Sequence, residues 1–169
     1  MENKYLKSRD LFETKDYSLK EKPIIIAYKI KTPQNIGNII RLADNIGCEK
    51  LFFLDEEPYP KISKIKKTAS SSLNSVNWEF CSPKEFKNII PSDYNIYAIE
   101  TANNSENIYN TLLSAKAAFV VGNEIHGIAN DILRLCDKYV HIPMSGNNKS
   151  LNVSHALSVA LFEWLRQQL

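Results

Sequence analysis

A continuous apolar run rich in β-branched residues, IIIAYKI at positions 24–30, constrains the fold of this chain more than any other feature. Such a run is typical of a strand buried on both faces of a parallel sheet. Apolar residues then recur at helical spacing over 35–46, with Gly47 as the stop, and residues 50–54 form a second strand-like run. Together these segments predict a β-α-β unit. The buried face of its helix is predicted to consist of Ile36, Ile39, Ile40, Ala43 and Ile46.

The rest of the chain continues this alternation. Further strands are predicted at 76–80, 94–100 and 117–121, and one more is predicted to end with the IPM segment at 142–144. Helices are predicted from Ser82 to before Pro91, at 108–113 and from Val153 onward, whereas 56–75 is predicted to be the least regular part. Alternation along the whole chain predicts an α/β fold, with a mainly parallel sheet and helices on both faces.

Length and composition suit one domain. The chain has 169 residues, of which 44% are hydrophobic, so residues 23–169 are predicted to form a domain with a proper core. Residues 1–22 are predicted to be a short, partly helical extension. That extension holds no apolar signal segment, and no run is long enough to cross a bilayer, so we expect a cytoplasmic protein without a membrane partner. The three cysteines and three histidines lack metal-ligand spacing, which predicts reduced thiols and no metal site.

Charge leaves nucleic-acid binding open, because a net charge of +2 is small for a nucleic-acid-binding domain. The positive charge is local, however, and a dimer would double it. The cluster consists of Lys61, Lys64, Lys66 and Lys67. Contact with RNA phosphates and an ordinary solvated face of a charged helix are both open interpretations.

Three predicted strands end in segments with suggestive residues, at 99–101, 122–127 and 142–152. In open α/β sheets, ligands bind beyond the carboxyl ends of the strands, so we expect these segments to meet around one site. The GxGxxG fingerprint is missing from the sequence. A conventional dinucleotide-binding fold therefore fits poorly.

The last of these segments joins a polar loop, GNNKSLN, to the longest helical pattern in the chain. Gly146 can take unusual backbone angles, and such a loop before a helix N-terminus can hold a polar ligand through its backbone. Simple capping of the helix by Ser and Asn is the alternative. The apolar stripe of the helix either packs on the sheet alone or joins a twofold dimer interface, and Trp164 suits either arrangement. The stripe comprises Val153, Ala156, Leu157, Ala160, Leu161, Trp164 and Leu165.

Three ordered segments resemble the signatures of the SpoU (TrmH-like) RNA 2′-O-ribose methyltransferases of the SPOUT superfamily. They are NIGNIIR at 35–41, GNEIHGI at 122–128, and IPM with Gly146 and SLNVS within 142–154. The resemblance covers roughly residues 23–169. It implies a C-terminal trefoil knot, S-adenosylmethionine as cofactor with S-adenosylhomocysteine as product, an RNA substrate and a homodimer. Serines at 70–72 replace the glycine-containing turn common in the family, so details of that loop do not carry over.

The resemblance also nominates site residues by their motif positions. Cofactor contacts are assigned to Ile99, Thr101, Gly122, Ile142, Met144, Ser150, Leu151 and Asn152. Catalytic or orienting roles are assigned to Arg41, Asn35, Glu124, Ser150 and Asn152. Without the motifs, Ile99, Ile142 and Leu151 could not be told from core residues.

Arg41 is the residue expected to promote methyl transfer, although helical periodicity alone predicts an ordinary solvent-exposed arginine. The resemblance implies that the Arg41 guanidinium reaches the site from the partner subunit, where it would hold the phosphate and stabilise the nascent alkoxide. Because a guanidinium stays protonated at ordinary pH, the proton goes to water or a phosphate oxygen. Glu124, if it is not simply a surface-turn acid, is expected to pair with Arg41, and Asn152 to hold the ribose or the cofactor.

The implied function is transfer of a methyl group to a ribose 2′-hydroxyl of tRNA or rRNA. tRNA is the preferred substrate, because no appended RNA-binding domain is evident in the chain. A non-catalytic relative that binds RNA or cofactor is the first alternative. A SPOUT enzyme that methylates a base nitrogen is the second, and it would be expected to show a different first motif.

Overall fold

A seven-stranded parallel sheet organises the protein in the computed structural model, which describes residues 7–13, 17–56 and 58–169. In chain order the strands are β1 Ile24–Tyr28, β2 Lys50–Leu54, β3 Trp78–Cys81, β4 Asn95–Ile99, β5 Glu106–Asn107, β6 Ala117–Val121 and β7 Lys138–His141. Their spatial order is β3-β2-β1-β6-β4-β7-β5, and every neighbouring pair is parallel. The mainly parallel α/β sheet predicted from the alternation is confirmed.

Helices cover both faces of this sheet. They are α1 Ser8–Glu13, α2 Pro33–Ile46, α3 Ile62–Ala69, α4 Ser72–Ser75, α5 Phe86–Ile89, α6 Asn130–Leu133 and α7 Val153–Gln168, with 3-10 segments at Pro83–Glu85 and Ile108–Asn110. Apolar residues of α2, α3 and α7 share one buried layer, and those of α5 and α6 share the other. Strands β1 and β6 are buried at every position, which explains their uninterrupted apolar sequences.

Helix α2 follows the predicted pattern closely. All five residues of its predicted stripe are buried. Pro33 starts the helix two residues earlier than predicted, because proline suits the first helical position. Gly47 ends it with φ at 67°, a left-handed angle that favours glycine. Gly37 brings α2 close to α3, since a Cβ there would lie 2.6 Å from Thr68 Cβ.

Several predicted boundaries are wrong. The segment 56–75, predicted to be irregular, contains α3 and α4, because Ile65 and Ala69 give α3 a buried face. The third strand begins two residues late, at Trp78, and the helix predicted at 108–113 is only one 3-10 turn. Strand β7 ends at His141, before the IPM segment. Strand β5 and helix α6, both very short, went unpredicted.

Trp164 settles the use of the α7 stripe in one chain. Its side chain is 0% exposed, and its indole N–H donates to the carbonyl of Ser114 over 2.9 Å. Gln167 makes two more hydrogen bonds with this segment. Its Oε1 accepts from the amide of Leu113, and its Nε2 donates to the carbonyl of Thr111. Five residues of the stripe are therefore buried within the chain, whereas Ala156 and Leu165 are half-buried.

The predicted extension at 1–22 lies partly outside the described residues, which omit 1–6 and 14–16; the part described includes α1. No helix among the described residues is long and apolar enough to cross a membrane.

Candidate functional site

The segments after β4, β6 and β7 meet at the carboxyl edge of the sheet, because β4 lies between β6 and β7. They enclose a cavity of about 310 Å³, here called the strand-end cavity. This volume lies at the lower end of the range for small-molecule sites. All the residues predicted to contact a cofactor line it: Ile99, Thr101, Gly122, Ile142, Met144, Ser150, Leu151 and Asn152.

Glycine is required where the chain folds back beside this cavity. Asn123 and Gly127 form an antiparallel bridge, and Gly127 has a φ of 65°. A Cβ on Gly122 would lie 2.3 Å from the carbonyl carbon of Gly127 and 2.5 Å from the amide nitrogen of Ile128. Both atoms belong to the backbone and cannot easily move aside, so the close approach needs glycine at position 122.

Asn35 links the three motif segments through hydrogen bonds. Its side-chain nitrogen donates to Glu124 Oε1 over 2.8 Å, and its Oδ1 accepts from Asn152 Nδ2 over 3.0 Å. Asn152 Oδ1 accepts in turn from the amide of Ser154, at 2.9 Å, and thereby caps α7. Asn35 is 6% exposed, so these bonds form where water competes poorly. The three segments thus form one polar unit beside the strand-end cavity.

The carboxylate of Glu124 lies beside the N-terminal end of α2, where backbone amides lack partners within the helix. Its carboxylate accepts from the amides of Lys31 and Thr32 at 3.4 and 3.3 Å, as well as from Asn35. Burial raises the pKa of Glu124, but the accepted hydrogen bonds outweigh burial and hold the pKa below its ordinary value. Among the described residues its partners are these donors, so Glu124 does not pair with Arg41 within one chain, and a pairing with Arg41 of a partner subunit stays a prediction.

Arg41 lies apart from the strand-end cavity of its own chain. Its side chain is exposed on α2, and it makes no hydrogen bond or ion pair with the described residues. It comes six residues after Asn35, which is about 9 Å along the helix and roughly 120° around it. Asn35, Glu124 and Asn152 are therefore brought together by one chain, whereas Arg41 is not.

The loop between β7 and α7 leaves main-chain groups available beside the cavity. Between residues 144 and 151, no backbone amide donates to a backbone carbonyl within the described part of the chain. Side chains hold the loop instead: Asn148 Oδ1 accepts from both the amide and the hydroxyl of Ser150, and Lys149 Nζ donates to the carbonyl of Met144. Gly146 does not use a left-handed φ. Helix capping by Asn152 and a loop suited to ligand binding therefore coexist.

The predicted RNA-contacting lysines form an exposed basic face on and next to α3. Lys61 precedes the helix, and the other three lie on its solvent side. The opposite side of α3 packs against α2 through Ile65 and Ala69, which are both buried. This arrangement fits both interpretations left open by the sequence.

Three polar residues near the cavity were given no role from the sequence, although Glu100 and Asn123 lie in segments expected to meet there. Glu100 lines the cavity and accepts from the amides of Thr101 and Ile128 at 2.9 and 3.1 Å. His141 also lines it, with Nδ1 2.9 Å from the hydroxyl of Ser105. Asn123 accepts from the amides of residues 125 and 126 and shapes their turn. A charged residue at the end of a buried strand was the available signal for Glu100.

The described residues contain no cluster of His, Cys, Asp or Glu side chains suited to a metal ion. The three cysteines are free. Burial, the largest effect, raises the pKa of Cys48 and of Cys136 to about 12 and that of Cys81 to about 11. A thiol with so high a pKa is a poor nucleophile at neutral pH, which agrees with a packing role.

An open parallel sheet with a ligand-sized cavity formed by three strand-end loops defines a class: α/β proteins that bind a small molecule at the carboxyl edge of the sheet. Comparison with known proteins identifies the family within it. The profile of the SpoU rRNA Methylase family matches residues 22–162. The chain therefore belongs to that family.

Individual relatives show how much of the chain is shared. The 23S rRNA (guanosine-2′-O-)-methyltransferase RlmB of Blochmanniella floridana is 32% identical over 86% of this chain, which spans 58% of that relative's length. The tRNA (guanosine(18)-2′-O)-methyltransferase of Aquifex aeolicus is 28% identical, over a match that covers 99% of this chain and 78% of that relative's length. A solved structure that concerns 2-OH methylation of C/U34 on tRNA superposes with a TM-score of 0.78 at 25% identity, covering 87% of this chain and 96% of its own.

Proposed function

We propose that this protein transfers the methyl group of S-adenosylmethionine to a ribose 2′-hydroxyl of tRNA, as a cytoplasmic homodimer. One observation carries the proposal: every residue nominated for the cofactor from the motifs lines the same strand-end cavity. Membership of the SpoU rRNA Methylase family supports it. The knot implied by the resemblance stays a prediction.

The cavity residues fit this cofactor. Side chains of Ile99, Ile142 and Leu151 offer apolar walls for a flat purine, and the 144–151 loop has main-chain amides without backbone acceptors among the described residues. Apolar walls with a few convergent polar groups are the usual composition of such sites. When bound, S-adenosylmethionine supplies an electrophilic methyl group on its sulfonium.

Asn35, Glu124 and Asn152 act as positioning residues in this proposal. Their hydrogen bonds fix the start of α2 against the two loops that line the cavity. A ribose placed there would meet a rigid wall, and holding two reactants in line lowers the barrier to transfer. Glu124 already accepts three hydrogen bonds and its pKa is lowered, which makes it a weaker base, so we assign it positioning rather than removal of the 2′-hydroxyl proton.

Arg41 of the partner subunit would clamp the target phosphate and stabilise the nascent alkoxide. Its exposure on α2, away from the contacts of Asn35, supports this arrangement, because it leaves the guanidinium free to enter a neighbouring site. The proton would pass to water or a phosphate oxygen, since the guanidinium stays protonated.

Two relatives support tRNA as the substrate. The matches to the tRNA (guanosine(18)-2′-O)-methyltransferase and to the structure that concerns C/U34 of tRNA cover 99% and 87% of this chain. The exposed lysines of α3 supply positive charge for phosphates. Purified protein should be incubated with labelled S-adenosylmethionine and separated tRNA and rRNA. We expect a 2′-O-methylated nucleotide in tRNA; a methylated base nitrogen, or binding without transfer, would refute the proposal.

A subunit-mixing experiment tests the role of Arg41. Arg41→Ala should bind S-adenosylmethionine normally in calorimetry and fail to transfer methyl groups, whereas Arg134→Ala, at another exposed arginine, should remain active. Thr101→Trp, which fills the cavity wall, should lose cofactor binding. Mixing the two inactive variants should restore about a quarter of wild-type activity, because half of the dimers would carry one complete site. No recovery would place Arg41 outside the partner's site.

A further inference from the structure

Glu100 brings a carboxylate to the wall of the strand-end cavity at the end of β4, in the middle of the site. It follows Ile99 directly, and both residues line the cavity. Its two oxygens accept from the backbone amides of Thr101 and Ile128, at 2.9 and 3.1 Å. These bonds hold the carboxylate at a defined place, and Oε2 would be 2.5 Å from a Cβ on Gly127.

No ion pair neutralises Glu100 within the described residues. Glu124 is the second carboxylate on the cavity wall, and its oxygens face the donors at the start of α2. Lys149 is the lysine of the wall, and its ammonium donates to the carbonyl of Met144. The wall therefore holds two carboxylates and one ammonium, and a cationic ligand is favoured over a neutral one of the same shape.

We infer that Glu100 makes the cavity prefer the positively charged sulfonium donor to its neutral thioether product. This inference rests on the proposed function. S-adenosylmethionine and S-adenosylhomocysteine share the adenosine and the amino-acid tail, and differ by the methyl group and its positive charge. A fixed carboxylate near the sulfur attracts the first and leaves the second almost unaffected. Release of product after transfer would be favoured in the same way.

The expected size of the effect follows from Coulomb's law. For charges about 8 Å apart at an effective dielectric constant of about 40, the preference for the donor is roughly fivefold. Calorimetry without RNA, so that no transfer occurs, should give this result: Glu100→Gln weakens S-adenosylmethionine binding about fivefold and leaves S-adenosylhomocysteine binding unchanged. Glu106→Gln makes the same chemical change on β5, outside the cavity wall, and should alter neither affinity.

A second variant guards against loss of the hydrogen bonds that Glu100 accepts. Lys149→Gln removes the ammonium from the same wall and should raise the preference for S-adenosylmethionine. Opposite shifts in the two variants support the inference. An equal loss for both ligands in Glu100→Gln, together with no shift in Lys149→Gln, would overturn it and assign Glu100 a direct or purely structural contact. If the wild-type protein binds neither ligand, the proposed function itself fails.

Discussion

Replacement of Asn35 by alanine should destabilise the protein measurably, because this side chain joins three segments that are far apart in sequence. The change removes a hydrogen bond to a carboxylate and another to an amide. We take about 1.5 kcal/mol for the first, the low end for a charged acceptor since Glu124 is exposed, and about 1 kcal/mol for the second. Alanine regains about 0.5 kcal/mol through its higher helix propensity. The net loss is about 2 kcal/mol.

Urea denaturation followed by circular dichroism measures this loss. With a slope of about 2 kcal/mol per molar urea, the midpoint should fall by about 1 M at pH 7. Asn45→Ala, at an exposed position on the same helix, is the matched control and should shift the midpoint by less than about 0.25 M.

The loss should also depend on pH with a defined sign. The pKa of Glu124 lies below its ordinary value of 4.5 in the folded protein, so its hydrogen bonds stabilise the fold fully above that value. The stabilisation disappears as pH falls through the lowered pKa. The difference between wild type and Asn35→Ala should therefore be smaller at pH 3 than at pH 7. A midpoint shift under 0.3 M at pH 7 (about 0.6 kcal/mol), or an equal shift at both pH values, would refute the reasoning.

Two further predictions concern the cavity and the basic face. Gly122→Ala should lower the free energy of unfolding by about 2 kcal/mol or more and weaken S-adenosylmethionine binding at least tenfold, because the new Cβ would collide with backbone atoms. Gly146→Ala is the control, since a Cβ there would meet no atom within 4 Å. It should leave both the thermal melting and the calorimetric affinity nearly unchanged. The slope of log affinity for tRNA against log salt concentration should fall by about 1 to 2 in the double variant Lys66→Gln, Lys67→Gln. The same slope should stay unchanged in the control double variant Lys84→Gln, Lys87→Gln, which alters two other exposed lysines. Equal slopes in both pairs would exclude α3 as a phosphate-binding face.

The architecture could be predicted from the sequence because apolar periodicity reports burial directly. Strands β1 and β6 were recognisable as continuous apolar runs, since a central parallel strand is covered on both faces. Short elements could not be predicted in this way. Strand β5 has two residues, and its place at the sheet edge depends on β7 rather than on any local pattern.

The candidate site, too, could be predicted only in part. The resemblance to the SpoU motifs nominated the residues of the strand-end cavity, and geometry predicted that their segments meet, because strand ends of a parallel sheet share one edge. Which side chains touch one another depends on contacts between residues 28 to 117 positions apart, and no local rule contains that information. The tertiary structure alone decided that Glu124 accepts a hydrogen bond from Asn35, that Trp164 is buried within its own chain, and that Glu100 faces the cavity.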